Sequence, residues 1–184
     1  MALETPGTNP IRYNGFARLL HWLMAALVLG LAALGFYMVT LTYYDPWYRT
    51  APDLHRSFGV ISFILVTVRW LWRKKQPPPA MSGSLKPMEK LAAHWVHHLL
   101  YGLLFILPIS GYFITTAKGD AVNVFGLFTI PAIFTQQPIA NLEDIAGFIH
   151  LGLAVCLLTL VALHIAGGLK HHFIDKDDTL TRML

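Results

Sequence analysis

The chain has 184 residues, 55% of them hydrophobic and only 13% charged, with a mean hydropathy of +0.51. A soluble domain of this length needs far more charged surface, so a water-soluble globular protein is excluded. The formal net charge of +4 comes from lysines and arginines spread over connecting segments, a pattern of membrane topology; lipid is the expected surroundings and no nucleic-acid partner is expected.

The polar opening MALETPGTNPIRYNG leads into an apolar run too long for the core of a signal peptide, so no cleavage is expected. That run, about residues 16–41, is the first candidate span, and the second covers about 54–72. TYYDPWYRTAPD joins them. RKKQPPPAMSGSLKPMEK, rich in Pro, Gly, Ser and Lys, separates the second span from the third at about 88–116. Residues 117–142 contain VFGLFTIPAIF, too short and too broken by proline to cross, and read as an interfacial cap. The fourth span is about 143–169. Its single cysteine, Cys156, lies in an apolar run and is expected to pack. No internal repeat appears, and residues 1–184 read as one domain: an all-α membrane protein, a bundle of four transmembrane helices.

Eleven of the fourteen lysines and arginines, including Arg12, Arg18, Arg69, Arg73 and Arg182, fall on the side of the two termini. Only Arg49, Arg56 and Lys118 fall on the other. This asymmetry predicts cytoplasmic termini.

Of nine histidines, seven lie in or at the edges of the spans: His21, His55, His94, His97, His98, His150 and His164. His171 and His172 follow the last span and read as interfacial polar residues. Imidazoles are costly in hydrocarbon, and this many point to function. They form two layers. His55 and His150 lie towards the outer face; His21, His94, His97, His98 and His164 lie towards the inner one. His150 and His164 share the fourth span, where a separation of fourteen residues puts them within roughly 40° of one face and about 21 Å apart.

Zinc would want three or four ligands, and the outer layer offers only two imidazoles. A proton path would interleave carboxylates, which the span interiors lack. Haem iron needs two axial ligands. The outer pair is then His55 with His150. The inner pair must include His164; His21 matches it in depth, and His94 and His97 are rivals. Gly59, Gly152, Gly167 and Gly168 lie near these positions and would admit a flat ring. Arg18 and Arg56 are candidate partners for haem propionates. With no Cys-x-x-Cys-His, attachment would be non-covalent.

LLHWLMAALVLGLAALGFYM, DLHRSFGVISFILVTVRWLWR, HWVHHLLYGLLFILPISGY and the tail LKHHFIDKDDTLTRML resemble the bacterial cytochrome b561 family over nearly the whole chain. The resemblance implies two haem b groups in the bacterial inner membrane, the cytoplasmic one held by His21 and His164 and the periplasmic one by His55 and His150. It leaves His94 and His97 unassigned as ligands; these are candidates for quinone or proton handling, whereas His98 is expected to pack. Some members oxidise periplasmic superoxide and reduce ubiquinone, and that activity is the leading expectation. Other stretches, VFGLFTIPAIF and TLTYYDPWY, resemble a branch associated with a small periplasmic isoprenoid-binding barrel. This implies the alternative of an electron-transfer module between the quinone pool and a protein partner. A metal-handling bundle without redox chemistry is the remaining alternative.

Overall fold

The computed structural model describes residues 12–81, 83–133 and 140–184. Most of the polar opening and residues 134–139 of the expected interfacial cap lie outside the described residues. Four helices are long and apolar enough to cross a membrane: α1 (Gly15–Met38), α2 (Thr50–Lys75), α3 (Pro87–Thr116) and α4 (Leu142–Phe173). The protein is a four-helix membrane bundle.

Each helix starts or stops for local chemical reasons. Asn14 caps α1, its Oδ1 accepting from Ala17 N at 2.8 Å, and the same oxygen accepts from the Trp72 indole of α2 at 3.2 Å. Asp53 sits in the first turn of α2, and Arg73, Lys74 and Lys75 fill the last, each complementing the helix dipole. Pro87 opens α3, and Glu89 reaches back to accept from Lys86 N at 2.9 Å. Glu143 and Asp144 open α4; Lys170, His171 and His172 close it. With 32 residues α4 is about 48 Å long, well beyond a hydrocarbon core of about 30 Å.

The helices pack in sequence order, α1 on α2, α2 on α3 and α3 on α4, and no comparable packing joins α4 to α1 or α2. The bundle is thus an open arc. Few side chains are fully buried, among them Leu20, Met24, Val66 and Leu157, because lipid solvates the outward apolar faces. Cys156, expected to pack, is exposed on α4.

The segment after α3 holds a feature absent from the sequence reading: an antiparallel hairpin of β1 (Val122–Val124) and β2 (Phe128–Ile130), with Val122 opposite Ile130. Phe125 and Gly126 at its turn both have positive φ, as tight hairpin turns demand. Ser57 of α2 holds that turn: its Oγ accepts from Phe125 N at 3.0 Å while donating to Asp53 O at 2.8 Å. The hairpin therefore covers α2 two residues beyond His55.

At the opposite end the chain folds back after α4. Trp22 Nε1 donates to Met183 O at 2.9 Å, and Tyr13 N donates to Arg182 O at 3.2 Å. Lys170 pairs with Glu89 and with Asp175, the latter at 2.8 Å. His171, expected at the lipid interface, instead turns Nδ1 to Asp175 (2.8 Å) and Asp177 (3.0 Å). Asp177 is only 7% exposed and accepts from Thr179 N at 2.8 Å and from Ser84 Oγ at 3.1 Å. Burial favours its neutral form, but the hydrogen bonds from Thr179 and Ser84 and the nearby His171 outweigh burial, so its pKa lies below the usual carboxylate value.

A depressed carboxylate pKa contributes stability above the unfolded value of about 3.9 and loses it as pH falls through the folded value. Docking of residues 177–184 should therefore hold at neutral pH and loosen only in acid, below that ordinary value. Asp177→Asn should loosen it already at pH 7, with about tenfold faster amide exchange across the tail and unchanged exchange in the spans. Hydrogen-exchange mass spectrometry checks both; equal tail protection in the variant would mean that the Asp177 charge does not hold the tail.

Candidate functional site

The open side of the arc, between α4 and the α1–α2 pair, is where the imidazoles gather. His55 of α2 faces His150 of α4 with ring centroids 6.1 Å apart and planes at 74°. His21 of α1 faces His164 of α4 with the same 6.1 Å and 74°. All four are half-buried. The two pairs thus link α4 to α1 and α2 near opposite ends of α4.

Several other residues lie close by. His97 of α3 sits edge-on to His164, centroids 5.3 Å apart, so His164 lies beside both His21 and His97. His94 and His98 are exposed on the outside of α3, their rings 4.2 Å apart, with His98 Nδ1 2.7 Å from His94 O. His98 therefore packs on His94 and not inside the bundle. Of the two arginines singled out in the sequence, Arg56 is engaged in an ion pair with Asp53, and Arg18 is half-buried on α1.

Arg69 was missed as a site residue, having been counted only towards topology. It lies within α2, donates through Nε to Tyr101 OH at 3.1 Å and through Nη1 to Ala17 O at 3.4 Å, and stands near His21, His97 and His164. An arginine inside a span was the available signal. Arg73, one turn on, lies over the Tyr101 ring at 5.9 Å.

The tight glycines also differ from those singled out. A Cβ at Gly59, Gly152 or Gly167 would meet nothing within 4 Å, and at Gly168 only Leu180 Cδ1 at 3.9 Å. A Cβ at Gly35 of α1 would lie 3.2 Å from His55 Cε1, and at Gly111 of α3 it would lie 3.1 Å from His150 Cε1. Those two glycines let the outer imidazoles seat directly against neighbouring helices.

The donor set suits a b-type haem. Two bonds of about 2 Å from facing imidazoles to one metal, plus the ring radii, bring centroids to roughly 6–6.5 Å. Each facing pair supplies two nitrogens and no thiolate, which matches an axial pair and falls short of a tetrahedral site. A cluster of Glu89, His171 and Asp175 near the tail also brings donor atoms within 4.8 Å of one another, but Lys170 already pairs with both carboxylates there.

Comparison with known proteins identifies the family. The family model described as prokaryotic cytochrome b561 matches residues 12–184. Cytochrome b561 homolog 2 of Escherichia coli (strain K12) is 48% identical over 176 residues, covering 96% of this chain and 93% of that protein. The probable superoxide oxidase CybB of Yersinia pestis is 31% identical over 169 residues, covering 90% and 91%. Cytochrome b561 homolog 1 of Escherichia coli (strain K12) is 25% identical over 137 residues. With membership come b-type haem and membrane electron transfer: the chain belongs to the prokaryotic cytochrome b561 family.

Proposed function

We propose that this chain is a dihaem cytochrome of the bacterial inner membrane, with His21 and His164 holding the haem nearer the cytoplasm and His55 and His150 the one nearer the periplasm. The observation that carries the reading is the repeated pair geometry, 6.1 Å and 74° towards both ends of α4. The lysine and arginine asymmetry supports the orientation. Haem iron bound by two imidazoles changes oxidation state without opening a coordination site, so it supplies one-electron transfer and not ligand chemistry.

The protein's own residues do the rest. α4 fixes the spacing of the two centres at about 21 Å along its axis. Arg69 supplies positive charge beside the inner imidazoles and is the better candidate there than Arg18 for an anionic haem edge. Arg56 keeps that role at the outer layer, shared with Asp53. His97, half-buried against His164, is the group we assign to proton handling for a quinone, ahead of the exposed His94.

Superoxide as donor and ubiquinone as acceptor is the leading assignment, supported by the name of the Yersinia pestis relative and by the family resemblance. Two superoxide anions would each lose one electron and leave as oxygen, and the two electrons with two protons would convert ubiquinone to ubiquinol. One observation favours a second reading. Lys118 pairs with Glu143, whose hydrogen bond raises the lysine pKa, and Arg56 pairs with Asp53. Both cations are largely neutralised, which weakens attraction of a small anion. The hairpin end also exposes Tyr43, Tyr44, Leu127 and Phe128, a surface suited to a protein such as an isoprenoid-binding barrel. On this reading the chain passes electrons between the quinone pool and that partner.

Pyridine haemochrome analysis should find about two b haems per chain. His150→Ala should remove one and leave the other, because its ligands lie about 21 Å away. A variant that keeps both haems spectrally unchanged would overturn the pairing.

Stopped-flow mixing with superoxide, with and without ubiquinone, separates the two readings. Arg49 makes no ion pair among the described residues. If superoxide is the donor, Arg49→Gln should slow haem reduction about two- to threefold at low salt, and the difference should vanish as the screening length falls to about 8 Å at physiological ionic strength. No superoxide-driven reduction of the unmodified protein would put the electron-transfer module first.

A further inference from the structure

The two outer imidazoles sit in matching surroundings with one difference. His55 lies against Gly35 of α1 with the Leu31 carbonyl beside it, and His150 lies against Gly111 of α3 with the Leu107 carbonyl beside it. In both helices the carbonyl belongs to the residue four positions before the glycine, so the absent Cβ opens the ring's approach to the backbone. His55 Nδ1 is buried yet makes no hydrogen bond of regular geometry. His150 Nδ1, by contrast, lies 3.0 Å from Ser110 Oγ. Ser110 is itself buried, 8% exposed, and donates its only proton to Leu107 O at 2.7 Å.

A hydroxyl whose proton goes to a carbonyl can offer a neighbouring nitrogen only a lone pair. Nδ1 of His150 must then carry the ring proton and donate it to Ser110. This leaves Nε2 with its lone pair as the metal-binding atom. A hydrogen bond donated by the far nitrogen makes an imidazole more basic and a stronger electron donor to its metal. The two sides of the outer centre are therefore unequal: both rings have a backbone carbonyl beside them, and only His150 has a hydroxyl as well.

We propose that Ser110 is a positioning residue that fixes the tautomer of His150 and, by strengthening its donation, lowers the reduction potential of the outer haem relative to a centre with no such backing. The proposal rests on His55 and His150 binding that haem. The hydropathy of α3 would not reveal it, since Ser110 enters the site through its contact with His150 on α4.

The test uses the purified full chain, with haem content measured first and potentials read by spectroelectrochemical titration. The component lost in His150→Ala identifies the outer haem. Ser110→Ala should raise the potential of that component and leave the other unmoved, and Ser110→Thr, which keeps the hydroxyl, should restore the original value. Loss of the outer haem alone in Ser110→Ala, with retention in Ser110→Thr, would also support positioning. Unchanged potentials in Ser110→Ala, a shift of both components together, or Ser110→Thr behaving like Ser110→Ala would overturn the proposal while leaving the ligand assignment intact. If no haem component depends on His150, the ligand assignment fails and this inference fails with it.

Discussion

The structure depends on how α4 is held. It packs along α3, and towards α1 and α2 it turns imidazoles, His164 towards His21 and His150 towards His55. A polar ring in hydrocarbon is tolerated when it finds a partner, and here each ring's partner lies on another helix. At that edge two pairs of facing imidazoles stand where apolar contacts would ordinarily close a four-helix ring.

The remaining elements secure that edge at its two ends. On one side the hairpin turn at Phe125–Gly126 is clasped by Ser57, which links the outer cap to the helix that carries His55. On the other, the tail returns beneath the bundle and ends against the indole of Trp22, next in sequence to His21. Both clasps act on residues within two positions of a paired imidazole, and neither uses an imidazole nitrogen. Small polar groups thus hold the geometry where lipid-facing side chains provide little.

Much of this was legible in the sequence because the bilayer imposes a length and a polarity on every span. The four spans, the two histidine layers and the outer pair follow from hydropathy and helical geometry alone. The limits of the helices did not, because hydropathy reports the hydrocarbon core whereas a helix runs on through its charged ends. α2 continues past Trp72 to Lys75, and α4 past Leu169 to Phe173. The hairpin escaped because three-residue strands carry too little periodicity to register. Arg69 escaped because one arginine can serve both charge asymmetry and a site, and only its neighbours distinguish these. Gly35 and Gly111 escaped because glycine is common in membrane helices, and its significance lies in the ring pressed against it from another helix.

The open arc also bears on how the protein is assembled. Helices packed in chain order can enter the bilayer and settle against one another as they are made, with no long-range pairing required before the last one arrives. The paired imidazoles then lie between the first two helices and the last, the elements that are latest to meet. The facing imidazoles, His21 with His164 and His55 with His150, thus meet only when the last helix arrives, so both pairs are completed together.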